Sequence, residues 1–148
     1  MSLLDDVSIV VTPNGYKAGE LYAVIPVPTE GAEEVVNGDF ATDSNWSKNT
    51  GWTISGGTAN KDSVDINYLT QDFSGNGQFK ITYTISSYVS GDVRLRVGTG
   101  FSTSVRTSNG TYTEYITKDS ASFGFYGGGE FSIDNVSVKE LTSADMDV

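Results

Sequence analysis

The sequence predicts an all-β fold, a sandwich or barrel of short strands. Three observations predict it. The 148 residues include 17 glycines and 3 prolines, and no stretch repeats its apolar residues at helical spacing. Threonine, valine and tyrosine, which suit a pleated and half-buried surface, fill the segments between turns. Turn signals recur roughly every eight to twelve residues, the spacing of sandwiches and barrels.

Taken in order, residues 1–34 read as an arm with a linker, 35–141 as the sandwich and 142–148 as a polar tail. In the arm, Ser2 to Asp6 suit one helical turn, and Val7, Ile9 and Val11 share one face of an extended run. Thr12-Pro13-Asn14-Gly15 is a turn by its chemistry. Leu21 to Pro28 follow, apolar on both faces and uncharged. Such a strand wants cover on both sides, and Pro26 and Pro28 keep it from the centre of a sheet. A hairpin of this kind is marginal alone in water, so the arm is expected to dock through Leu3, Leu4, Val7, Ile9, Val11, Leu21, Tyr22, Val24, Ile25 and Val27. Thr29 to Glu34 read as linker.

The sandwich is expected to begin at Val35 to Phe40, a short apolar strand that ends in a tight, acidic turn, lying beside a last strand over Phe131 to Val138. Trp52 and Ile54 share a face of the next strand, and Ser55-Gly56-Gly57-Thr58 is a hairpin turn. Val64, Ile66 and Tyr68 then alternate until the parity changes to Leu69 and Phe73, which predicts a bulge near Tyr68. Phe79 to Ile85 put apolar residues at odd positions, as in a sheet with one wet face. Ser90-Gly91-Asp92 is read as a turn into Val93 to Val97, with Arg94 and Arg96 outward. Residues 98–110 read as a long loop, Thr111 to Thr117 as a strand, and Ala121 to Phe125 as another, closed by Gly127-Gly128-Gly129. In the last strand the apolar parity switches at Asp134-Asn135, which predicts a second bulge.

Composition narrows function. The chain has no cysteine, so disulfides and thiolate metal sites are excluded, and no histidine, which removes the usual general base and metal ligand. That argues against most enzyme classes and leaves only a glycosidase built on paired carboxylates. The net charge of −10 argues against a nucleic-acid partner. Within it, residues 75–118 form a basic strip, with Lys80, Arg94, Arg96, Arg106 and Lys118 against Asp92 and Glu114. A solvated sheet face is the ordinary reading of such a strip, and a surface for an acidic partner the sharper one. The N-terminus, with Asp5 and Asp6, does not read as a secretory leader, and no segment approaches the roughly 20 apolar residues of a membrane span.

Asn37-Gly38-Asp39-Phe40, Gly51-Trp52-Thr53, Leu69-Thr70-Gln71 and Ile133 to Val138, in that order, resemble the jelly-roll carbohydrate-binding modules, galactose-binding-like sandwiches appended to many bacterial glycosidases. Met1 to Asp5, Thr12 to Lys17 and Leu21 to Pro26 likewise resemble a leader of structural proteins of tailed, especially marine, bacteriophages. Together these resemblances imply a jelly-roll β-sandwich with an extended N-terminal arm, in a non-enzymatic virion protein made in the host cytoplasm and carried on the outside of the particle. A capsid decoration protein is the expected role, with the major capsid protein or another virion protein as partner of the arm and a homo-oligomer as assembly. A tail or fibre protein binding host surface glycans is the alternative, and a free carbohydrate-binding module another.

The module resemblance implies a structural calcium near Gly38 and Asp134, with Asp39 or Asp43 as a further ligand, although Ala41 stands where the family places a glutamate. The alternative is that Asp134 and Asn135 hydrogen-bond a bulge. Glycan binding needs exposed rings with polar neighbours. The candidates are Trp46, Tyr88, Tyr112, Tyr115 and Tyr126, with Arg94 and Arg96 beside them, and Trp46 leads because it sits in a polar loop. Trp52, Phe79, Tyr83, Phe123 and Phe125 are assigned to the core.

Overall fold

The computed structural model describes residues 28–102, 104–119 and 122–142. The docking residues expected in the arm, Leu3 through Val27, lie outside the described residues. Within Thr29–Thr142, one compact unit, every element is a β-strand: β1 (Thr29–Glu33), β2 (Ser47–Lys48), β3 (Trp52–Ser55), β4 (Thr58–Thr70), β5 (Gly77–Val97), β6 (Gly100–Phe101), β7 (Gly110–Lys118) and β8 (Phe123–Thr142). All pairings are antiparallel. The path runs β2-β4-β8-β5-β6, with β1 on β8, β3 on β4 and β7 on β5.

Two long strands organise the unit. β5 and β8 pair from Gln78↔Leu141 to Val97↔Phe123. Their first stretch, with β1 and β7, makes one half of the sheet, and their second, with β4 and β6, makes the other. The halves face each other. The ring of Tyr83 in the first lies 5.2 Å from that of Phe125 in the second, and Phe73 joins Phe79 at 5.3 Å to Phe123 at 5.7 Å. Phe79, Ile81, Tyr83, Ile85, Val93, Leu95, Phe125, Ile133 and Val138 are all buried between the halves. Each such side chain contributes roughly 1.5–3 kcal/mol by leaving water.

The alternation read from Phe79 to Ile85 and from Val93 to Val97 is therefore the core pattern. The turn expected between them is absent, because β5 continues unbroken through Ser90-Gly91-Asp92. It bends there instead: Ser86 pairs with Ser132 but Ser90 with Glu130, and Ser87 takes a φ of 50°. Opposite the bend, Gly127-Gly128-Gly129 also fail to end a strand and form the middle of β8. A Cβ on Gly91 would lie 1.9 Å from the Gly128 carbonyl oxygen, at a φ of 98°. The glycines mark a backbone crossing rather than a reversal. Gly56 and Gly57, both at positive φ, do make the expected two-residue hairpin between β3 and β4.

At the N-terminal end the expectation shifts by a few residues. Thr29–Glu33, read as linker, is β1, and Thr29 pairs with Thr142. Glu33 fixes it by accepting hydrogen bonds from Val138 N at 2.6 Å and Ser137 Oγ at 2.6 Å. Val35 and Val36 are not a strand, but the expected turn is present, with Phe40 N donating to Asn37 O at 3.2 Å and Asn37 and Phe40 at φ values of 56° and 49°. The stretch still lies beside the last strand, joined by Val136 N donating to Gly38 O at 2.8 Å. Asn37 Nδ2 donates to Thr42 O and Ser44 O, and Gln71 brackets Val36 through both its amide atoms.

Both expected bulges exist. Thr82 pairs with Ser137 and Thr84 with Asp134, so β8 carries the extra residue where its parity switches. On β4 the shift falls between Ser63 and Asn67, and it leaves Val64 and Ile66 exposed rather than inward.

Candidate functional site

Leu69, Phe125 and Leu95 stand side by side on β4, β8 and β5, all facing the core. A neighbour of each in its strand must face outward, and Tyr68, Tyr126 and Arg94 are such neighbours, again in register. One row further along, Arg96 pairs with Phe101 of β6 on one side and with Gly124 of β8 on the other. The result is a compact outward face of three rings and two guanidinium groups.

Its geometry is tight. The Phe101 and Tyr126 centroids are 4.6 Å apart, Tyr68 and Tyr126 5.0 Å, and Tyr68 and Phe101 6.4 Å. Arg96 lies over the Tyr68 ring, with its guanidinium carbon 4.8 Å from the centroid. Arg94 Nε approaches Asp92 Oδ2 at 3.5 Å without a hydrogen bond. Phe101 is 45% exposed. It also borders a groove of about 360 Å³ lined by Val97, Thr99, Ile116, Thr117 and Asp119.

Of the glycan candidates, the structure brings Tyr126, Arg94 and Arg96 together. Tyr115 is exposed but stands alone on β7, opposite Lys80. Tyr88 packs against the core and donates from Oη to Gly91 O at 2.6 Å. Tyr112 has its ring against Tyr83 and under Arg106, with centroid distances of 5.7 Å and 4.6 Å. Trp46 corrects the expectation outright. It is 6% exposed, packed on Phe40, Phe123 and Phe125, and its Nε1 donates to Asn37 O at 3.0 Å. A polar loop here wraps a buried ring, so Trp46 offers no platform.

Tyr68 and Phe101 join this face although the sequence alone does not single them out. Leu69 was a signal for Tyr68, since an inward Leu69 turns its neighbour outward. Phe101 lies among glycine, serine and threonine with no alternation to place it.

A second polar cluster is enclosed. Glu114 on β7, 6% exposed, accepts hydrogen bonds from Tyr83 Oη at 2.8 Å and Ser102 Oγ at 2.5 Å, and Arg106 Nη2 lies 3.4 Å away. Burial, then the bond to Glu114 and its charge, push the Tyr83 hydroxyl well above the usual tyrosine range. Lys118, also buried, donates to Phe73 O at 2.9 Å and Gly75 O at 2.7 Å, and loss of solvent lowers its pKa. These groups tie the segment after β6, and the one before β5, to β7.

The residues implied as calcium ligands do not form a shell. Asp134 uses Oδ1 on Asn135 N and Oδ2 on Asn135 Nδ2, Asp39 caps Ala41 N, and the Gly38 carbonyl accepts from Val136 N. No three acidic, histidine or cysteine residues converge among the described residues, whereas calcium takes 6–8 oxygens. The donor set fits a hydrogen-bonded bulge.

The described unit is thus an all-β antiparallel protein with an aromatic and arginine-bearing outer face. No family model and no curated protein matches the chain. Among solved structures it is similar to the PRD1 vertex protein P5, at a TM-score of 0.34 and 14% identity, over 63% of this chain and 72% of that one. A likeness this slight carries no function across. Among the described residues no helix is long and apolar enough to cross a membrane.

Proposed function

We propose that the chain is a non-enzymatic structural protein of a bacteriophage virion, a capsid decoration protein whose N-terminal arm fixes it to the particle and whose jelly-roll sandwich is displayed outward. The observation that supports this reading is the pairing of Thr29 with Thr142, where Thr142 Oγ1 donates to Thr29 O at 3.3 Å. The compact unit therefore begins and ends at one point of one sheet edge. A unit tethered at one point leaves its other faces available, and the aromatic face belongs to the half of the sheet that lacks β1. The leader resemblance of residues 1–26 supplies the virion, and the net charge of −10 would keep displayed units soluble and mutually repelled. Absence of histidine and cysteine, with Glu114 held in hydrogen bonds, favours a role without catalysis.

Removal of residues 1–28 tests this. The truncated chain is expected to stay folded and to fail to join particles assembled without the protein. Full attachment of the truncated chain would refute the anchoring arm. A tail or fibre protein that holds host glycans is the second reading, favoured by the clustered rings and arginines on the outer face.

A further inference from the structure

We propose that the outer face formed by Tyr68, Phe101, Tyr126, Arg94 and Arg96 binds an acidic saccharide, with a sugar ring against Phe101 and Tyr126 and a carboxylate on Arg96. This deepens the displayed-surface reading and rests on it for where the ligand is met; the site itself belongs to the folded unit.

The rings come first. An outward sheet face normally carries polar residues, yet here three aromatic side chains from β4, β8 and β6 converge within 4.6–6.4 Å across the sheet. Their contact lowers but does not remove the cost of keeping them wet, since Phe101 remains 45% exposed. Rings with open faces and polar neighbours suit the C–H face of a pyranose, which is flat and apolar while its edge is rich in hydroxyls.

The arginines give the charge. Of the arginines, Arg106 is paired with Glu114 and Arg94 loosely with Asp92, but Arg96 has no carboxylate partner among the described residues. Its place over the Tyr68 ring restrains the guanidinium, so less rotamer freedom is left to lose when the fork meets a carboxylate. A planar fork matches a carboxylate through two parallel hydrogen bonds. A duplex nucleic acid fits poorly, because its dense charge would meet a protein of net charge −10 through only two arginines. A saccharide that spaces its carboxylates ring by ring matches a site with one open guanidinium beside a ring platform.

Titration calorimetry of the full chain tests the proposal. The probes are galacturonate, alginate and sialylated oligosaccharides, their carboxyl-esterified forms, polyglutamate and duplex DNA. At least one acidic oligosaccharide is expected to bind, with its ester weaker by about tenfold or more, as for loss of a charge-assisted bidentate contact. Arg96→Gln should bring the acid down to the ester, Phe101→Ala should weaken both, and Tyr115→Ala should change neither. Binding to no acidic saccharide, equal binding of acid and ester, or an unaffected Arg96→Gln would each overturn the site. Equal or tighter binding of polyglutamate or DNA would overturn the saccharide in favour of bare charge. Particle attachment of the wild type separates the two readings: attachment without binding of any acidic saccharide refutes this site alone, and saccharide binding without attachment refutes the anchored reading alone.

Discussion

Tyr68 stands directly opposite Tyr126, their ring centroids 5.0 Å apart on the outer face, while the very next pair, Leu69 and Phe125, is fully buried. One residue of register separates surface from core.

That relationship predicts a sharp contrast between neighbours. Phe125→Ala should destabilise the unit by about 3–5 kcal/mol, because it empties a site shared with Trp46, Tyr83 and Phe123. Tyr126→Ala should cost about 1 kcal/mol or less, the scale of a cross-strand surface pair. Urea unfolding of both variants checks the contrast.

The bend in β5 and β8 predicts a steric lesion. Gly91→Ala would need a positive φ and place its Cβ against the Gly128 carbonyl oxygen. Neither backbone can give way without opening the β5–β8 ladder, so a loss of about 3 kcal/mol or more is expected. Gly56→Ala at the open hairpin, where no atom approaches, is the comparison and should be much milder. Thermal melts of the pair provide the measurement.

Glu114 anchors the enclosed polar cluster. Glu114→Ala leaves Tyr83 buried without its acceptor and Arg106 without its carboxylate, an expected loss of about 2–4 kcal/mol. It should also loosen the segment after β6, since Ser102 is released, which hydrogen exchange around Ser102 to Arg106 would register.

Tyr83 makes stability depend on alkaline pH. Its proton is held more tightly in the folded chain than in the unfolded one, where tyrosine titrates near about 10. The contribution is thus complete below that pH and is lost as pH rises above it. Lys61 and Lys118, both lowered by burial, act in the opposite sense in the same alkaline region, as the unfolded chain keeps its lysine protons longer. The test is therefore a difference: by chemical denaturation, wild type should keep its advantage over Tyr83→Phe up to about pH 10 and lose it above, on the scale of one buried hydrogen bond of about 1–2 kcal/mol.

Much of the fold was legible in the residues. Alternation from Phe79 to Ile85 and from Val93 to Val97 marks which side chains are inside, because a strand's side chains alternate with period two whatever it pairs with. The parity switch at Asp134-Asn135 locates a bulge for the same reason, and Gly56-Gly57 dictates its own turn. These are local consequences of backbone geometry, and the sequence by itself determines them. It also determines chemistry that cannot be supplied, since no histidine or cysteine is present.

Only the tertiary structure decided the rest. Ser90-Gly91-Asp92 and Gly127-Gly128-Gly129 look like turns, yet each lies within a strand, because the two segments cross and need close approach more than reversal. Trp46 looks exposed by its polar neighbours, but Phe40, Phe123 and Phe125 come from elsewhere in the chain to cover it. Thr29 to Glu33 look like linker until Ser137 and Val138 meet Glu33. The aromatic face has the same origin: Tyr68, Tyr126, Arg94, Arg96 and Phe101 come from four strands, and only the register of those strands brings them onto one surface.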